Sequence, residues 1–187
     1  PDLPVSIDTF RSSVAARGIH KYGKVIINDI SAGELDPLIV DVAAEHDVPY
    51  VAMHMKGNPR TMQSMTDYRD IVAEVVDYFR ERTAQLRERG VRRIVVDPGF
   101  GFAKTLEQNY ELLRGLHRLA ELGYPVLAGV SRKSMIYKLL GTTPAEALNG
   151  TTALHWECLR QGAVILRAHD TREAVEVVRM FDQFMQA

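Results

Sequence analysis

Several short apolar runs in this chain of 187 residues end in a group that can do chemistry. The clearest is Arg93-Ile94-Val95-Val96-Asp97, which reads as a buried strand stopping at an acid. Pro98 cannot donate to a sheet ladder, and Gly99 and Gly101 permit a tight loop beyond it. The same pattern recurs at Ser6-Ile7-Asp8, Val25-Ile26-Ile27-Asn28-Asp29, Val126-Leu127-Ala128-Gly129 and Val164-Ile165-Leu166-Arg167. On adjacent parallel strands, Asp8, Asn28, Asp97, Lys133, Arg167 and His169 would converge on one mouth. Two carboxylates and an amide suit a nitrogen-rich ligand, because an ionised Asp accepts two N–H donors from an aminopyrimidine edge. Lys133, Arg167 and His169 are cationic donors that suit a phosphate or diphosphate. Acidic on one side and basic on the other, such a site fits a heterocycle bearing a phosphoryl leaving group.

Strands alternating with helices must hold these groups. The periodicity predicts strands over 5–8, 25–28, 50–53, 93–97, 126–129 and 164–167. It predicts helices over 10–17, ended by Gly18, and over 36–46, 66–89 and 106–122. A short helical turn over 135–140 stops at Gly141, and a helix over 144–160 is interrupted at Asn149-Gly150. The last helix, 170–185, turns Val175, Val178 and Phe181 inward, and 54–65 reads as a long, mobile loop. This alternation demands a parallel sheet with right-handed crossovers. An open doubly wound sheet would gather its chemistry at one switch point, whereas a barrel spreads it over all strand ends. The expectation is therefore α/β, a TIM (β/α)8 barrel of which six βα units are present, as one domain over 1–187.

Composition narrows the function. A net charge of -1 argues against a nucleic-acid partner bound by phosphate neutralisation. No stretch approaches the ~18 apolar residues of a membrane span, and no signal peptide is visible. The single Cys158 suits a reducing cytoplasm and reads as a buried structural thiol. The start at Pro1 without Met reads as a piece of a longer protein. Lys104 and the Arg92-Arg93 pair read as solvated, and His54, His117 and His155 as surface or satisfied side chains. Asp170 reads as the cap of the last helix, Asp8 or Thr9 as that of the first, and Asp29 stays open between cap and site. Met53, Met55, Met62 and Met65 read as gap-fillers or an apolar wall. No metal triad is expected.

Taken in order, Ser6-Ile7-Asp8-Thr9, Ile27-Asn28-Asp29-Ile30, Met53-His54, Asp97-Pro98-Gly99-Phe100-Gly101-Phe102, Gly129-Val130-Ser131-Arg132-Lys133-Ser134 and Arg167-Ala168-His169-Asp170 resemble the successive signatures of the dihydropteroate synthase family. That family is a (β/α)8 barrel that joins a dihydropterin methyl diphosphate to 4-aminobenzoate in folate synthesis. The resemblance implies that Asp8, Asn28 and Asp97 bind the pterin edge, with Met53 as an apolar wall and Gly129 letting the ring approach. It implies that Lys133 contacts the pterin and, with Phe102 and Ser131, shapes the 4-aminobenzoate site. Arg167, Ala168 and His169 would anchor the diphosphate, and Asp97, Lys133 and Arg167 would be catalytic. The resemblance further implies Mg2+ accompanying the diphosphate, and a homodimer. Relative to the family, the first two strand–helix units are missing, roughly 80–100 residues on ordinary barrel length. The Mg2+ ligand and part of the second-substrate site are expected there. Two other functions share the acids and amide: a methyltetrahydrofolate methyltransferase barrel serving a corrinoid partner, and a non-catalytic pterin-binding fragment.

Overall fold

A computed structural model describes residues 3–57, 61 and 64–186. Residues 58–60 and 62–63 of the expected 54–65 loop, Met62 among them, lie outside the described residues. Four strands, β1 (Val5–Asp8), β2 (Val25–Asp29), β3 (Tyr50–Met53) and β4 (Ile94–Asp97), pair in parallel and in chain order. Two more, β5 (Leu127–Ala128) and β6 (Ile165–Leu166), pair with each other. A parallel bridge from Val96 to Val126 joins the two groups. Strand order thus follows chain order without the reversal that defines an open doubly wound sheet. The sheet is an arc of a barrel, with β1 and β6 each paired on one side only among the described residues.

The helices cover the outer face: α1 (Ser12–Tyr22), α2 (Leu38–Glu45), α3 (Ile71–Glu88), α4 (Leu106–Arg114), α5 (His117–Ala120), α6 (Ser134–Leu140), α7 (Leu148–Arg160) and α8 (Thr171–Gln186). Between sheet and helices lies the main core, including Ile27, Tyr50, Phe79, Val96, Leu112 and Leu116. The sequence expectations need correcting at several helix ends. Gly18 does not end α1 but lies buried within it, where a Cβ would stand 2.2 Å from Ile7 Cδ1. The α1 N-terminus is served from elsewhere, by Asp36, whose carboxylate accepts from Ser12 N at 2.7 Å. α3 starts only after Asp70, whose side chain accepts from Ala73 N. The helix expected over 106–122 splits at Gly115, and the one over 144–160 breaks at Ala147 rather than at Asn149-Gly150. On α8 the buried positions are Ala174 and Val177, while Val175 is half exposed.

Gly115 is where the α4–α5 break meets α3. A Cβ there would stand 2.7 Å from both γ-methyls of Val72, so no Val72 rotamer relieves the clash. Gly115→Ala is expected to lower stability by about 1–2 kcal/mol, overpacking outweighing the gain in helix propensity, as a shift in the urea midpoint at constant m-value.

Candidate active site

Asp8 stands opposite Asn28, Asn28 opposite Val51, and Val51 opposite Val95 across three ladders. Residues in register on parallel strands point the same way. These four therefore face the barrel interior together, lining a cavity of ≈ 480 Å³ with Leu127, Leu166 and Arg167. Two residues further along, Met53 and Asp97 pair and form the next layer towards the carboxyl ends. Apolar Val51 and Val95 thus make a floor, with Asp8, Asn28 and Asp97 around it. Alternation sends Asp29 the other way, into the core. It is fully buried and accepts from Ser31 N, Ser31 Oγ, Gly33 N and Tyr50 Oη at 2.6–2.8 Å. Asp29 shapes the loop after β2 and is not a ligand group.

Asp97 is 5% exposed, and Gly99 N donates to its Oδ1 at 2.8 Å. Burial raises its carboxyl, opposed first by Lys133 and then by the Gly99 amide, Lys104 and Arg167. Burial likewise lowers the Lys133 ammonium, with Asp97 pulling it back up. Lys133 Nζ donates to Phe100 O and lies 5.0 Å from the Phe102 ring centroid. At Gly129 a Cβ would point between Lys133 Nζ and the Arg167 side chain, 3.7 and 3.8 Å away, so glycine keeps that space empty.

Lys104 is not solvated as the sequence suggested. It is 7% exposed, and its Nζ donates to Gly99 O at 3.0 Å and Phe102 O at 2.9 Å, with His54 Nδ1 at 3.2 Å. Burial brings its ammonium down to about 7, Lys133 and Lys56 adding to the shift and Asp97 opposing it. His54 is buried beside it with its ring edge-on to Tyr78, and burial, Lys104 and Lys56 hold it well below the imidazole range. Asn109 on α4 completes the loop's support, accepting from Gly101 N at 2.7 Å. Gly99 has φ 70°, and a Cβ on it would stand 2.1 Å from His54 O, so no side chain fits there.

The loop after β5 is held through Arg132. Its guanidinium donates to both Asp170 oxygens at 2.8 and 2.7 Å and to Pro144 O and Ala145 O. Asp170, expected as a helix cap, stands directly before α8 with its carbonyl accepting from Ala174 N, and its carboxylate in addition ties two loops together. Ser131, expected beside the second substrate, is buried and supports His169, accepting from its backbone N at 3.1 Å with Nδ1 at 3.0 Å. Arg167 donates to Asp8 Oδ2 at 2.9 Å, while the other Asp8 oxygen takes Asn28 Nδ2. Both side chains of the Arg167–Asp8 pair are about half exposed, a setting in which ion pairs contribute roughly 0–1 kcal/mol, so a ligand can open it cheaply. Ala168 lies half-buried between Arg167 and His169. Outside the site, Cys158 is fully buried with its thiol pushed up to about 12, chiefly by burial, as befits a structural thiol.

The family profile described as pterin binding enzyme matches residues 2–169. The chain belongs to the pterin binding enzyme family. Among its relatives is the dihydropteroate synthase of Synechocystis sp., 43% identical over 184 residues, covering 97% of this chain and 63% of that protein. The chain therefore spans a little under two thirds of that relative's length. A dihydropteroate synthase from Thermus thermophilus, solved in complex with 6HMPPP, superposes with a TM-score of 0.91 at 40% identity, covering 97% of this chain and 72% of the other. The same enzyme with 4-aminobenzoate gives 0.92 at 39% identity, covering 97% and 74%. The arc described above is thus six βα units of a (β/α)8 barrel. In this chain the strand-end groups Asp8, Asn28, Met53, Asp97, Gly129 and Arg167 surround one mouth. Lys133 reaches the Asp97 loop from after β5, and His169 is held against Ser131.

Lys104 carries a pH signature. Between about pH 7 and its unfolded value of 10.5 the unfolded chain holds a proton that the folded chain lacks, so stability rises with pH. The burial penalty is fully present below pH 7. The expected result is a stability difference between the chain and Lys104→Met that shifts in favour of the chain from pH 7 to 10, measured by urea unfolding.

Proposed function

We propose that the chain carries the pterin site of a transferase that condenses 6-hydroxymethyl-7,8-dihydropterin diphosphate with 4-aminobenzoate, giving 7,8-dihydropteroate and diphosphate in folate biosynthesis. The observation that carries this reading is the ladder of Asp8, Asn28 and Asp97 above an apolar floor, faced by Lys133 and Arg167. The acids and the amide accept and donate along the pterin edge, and Val51, Val95 and Met53 pack against the ring. Arg167 and His169 hold the diphosphate, and the space left at Gly129 lies between the two regions. The complexes of related enzymes with 6HMPPP and 4-aminobenzoate support both substrates.

The reaction is a dissociative substitution at the pterin methylene. The diphosphate leaves with the bonding pair, charge spreads into the pterin, and the arylamine attacks the methylene carbon and loses a proton. Arg167 and His169 stabilise the leaving charge, and Asp97 stabilises the cationic ring and fixes its orientation. Lys133, beside Phe102, borders the arylamine side. Mg2+ would enter with the diphosphate. Among the described residues no three His, Cys, Asp or Glu side chains gather to hold a metal.

Pairing as a homodimer is supported by the apolar face of α8. Val175, Met180, Phe184 and Met185 are 49–67% exposed there, next to Trp156 of α7, which stacks edge-on with Phe181 and Phe184. No described helix is long and apolar enough to cross a membrane. A reducing compartment such as the cytoplasm suits the free Cys158.

Two measurements test the reading. Calorimetric titration with a 7,8-dihydropterin, well below the melting temperature of either chain, should show binding that Asp97→Asn weakens at least tenfold; binding unchanged by the substitution would remove Asp97 from the site. Phe184→Glu should shift sedimentation from dimer to monomer without changing pterin affinity, and a chain already monomeric would exclude the pairing.

A further inference from the structure

The turn from Gly99 to Lys104 holds an arrangement that the proposed chemistry leaves unused. Gly99, Gly101 and Ala103 all take left-handed backbone, at φ 70°, 81° and 51°. For Ala103, which has a Cβ, that conformation costs roughly 1–2 kcal/mol, so the turn needs a restraint. Lys104 supplies it from inside. In its protonated form, held below about pH 7, Lys104 has three N–H donors, and three acceptors surround them: Gly99 O, Phe102 O and His54 Nδ1. The two carbonyls bracket the turn, and His54 fixes the clip to the end of β3, where His54 N donates to Asp97 O at 2.9 Å. Lys104 is buried with its Nζ engaged on all three sides by groups of the turn and of His54, so it works through the turn and not on a ligand. The same turn delivers Gly99 N to the Asp97 carboxylate and sets the Phe102 ring beside Lys133.

We infer that Lys104 is a positioning residue: by drawing Gly99 O and Phe102 O onto one ammonium anchored at His54, it fixes the Gly99 amide on Asp97 and so presets the carboxylate that receives the pterin edge. The inference rests on the pterin reading of the site. A group that only stabilised the fold would change melting and leave the affinity of the folded chain alone. A positioning group changes that affinity, because a misaligned carboxylate loses directional bonds to the ring.

The test, made near pH 6 where Lys104 is protonated, combines the Gly99 amide resonance of 15N-labelled chain with calorimetric titration of a 7,8-dihydropterin. Lys104→Met should move the Gly99 amide towards its position in Asp97→Asn and weaken pterin binding about tenfold at temperatures well below melting. An unmoved Gly99 amide together with unchanged affinity overturns the inference. Should Lys104→Met fail to fold, the His54 pair decides. His54→Leu removes an acceptor and should weaken binding about fivefold, whereas His54→Gln, which keeps one, should lose at most half as much; equal losses overturn the inference. If the unaltered chain binds no pterin, the functional reading fails, and the Gly99 resonance in Lys104→Met still decides whether Lys104 sets the turn.

Discussion

Charge buried at the end of β4 is the constraint on which the rest of this structure depends. An isolated carboxylate or ammonium in an apolar interior is strongly disfavoured and survives only with partners. Asp97 has them in Lys133, Lys104 and the Gly99 amide, and the two lysines in turn spend their donors on the carbonyls of one turn. Removing any member leaves another uncompensated. This explains why the turn tolerates three left-handed residues and why glycine stands against His54 O. The surrounding elements then act as supports: Asn109 from α4 holds Gly101, and Arg132 with Asp170 locks the neighbouring loop that brings Lys133 in.

The barrel layers separate two kinds of polar residue. In-register pairing turns Asp8, Asn28 and Asp97 towards the interior, where their bonds are few enough to be exchanged for those of a ligand. Asp29, one residue from Asn28, has four short bonds in the core and nothing left to offer. The distinction between a binding acid and a structural one is thus set by the two-residue period of the strand.

Much of this was legible in the sequence, for physical reasons that differ by residue. Asp97 announced itself because Pro98-Gly99 leaves no helix start for it to cap, and the strand alternation pointed to a barrel. Asp29 could have been resolved from the same alternation once Asn28 was placed inward. Lys104 could not be, since its burial depends on His54, fifty positions earlier in the chain, and on the path of its own turn. The contact of Ser131 with His169 was not legible either, because it joins positions 38 residues apart. On α8 the inward stripe was misplaced by one position, small Ala174 being buried where Val175 was expected.

The Arg167–Asp8 ion pair joins positions 159 residues apart, nearly the two ends of the described chain. Neighbouring βα units make contacts that are local in sequence and can form early. This contact is the reverse, closing a very long loop for a half-exposed pair that returns little energy. On these topological grounds the mouth is expected to assemble late in folding. A partly folded chain can have a well-formed sheet and still present Asp8 and Arg167 too far apart to share a ligand.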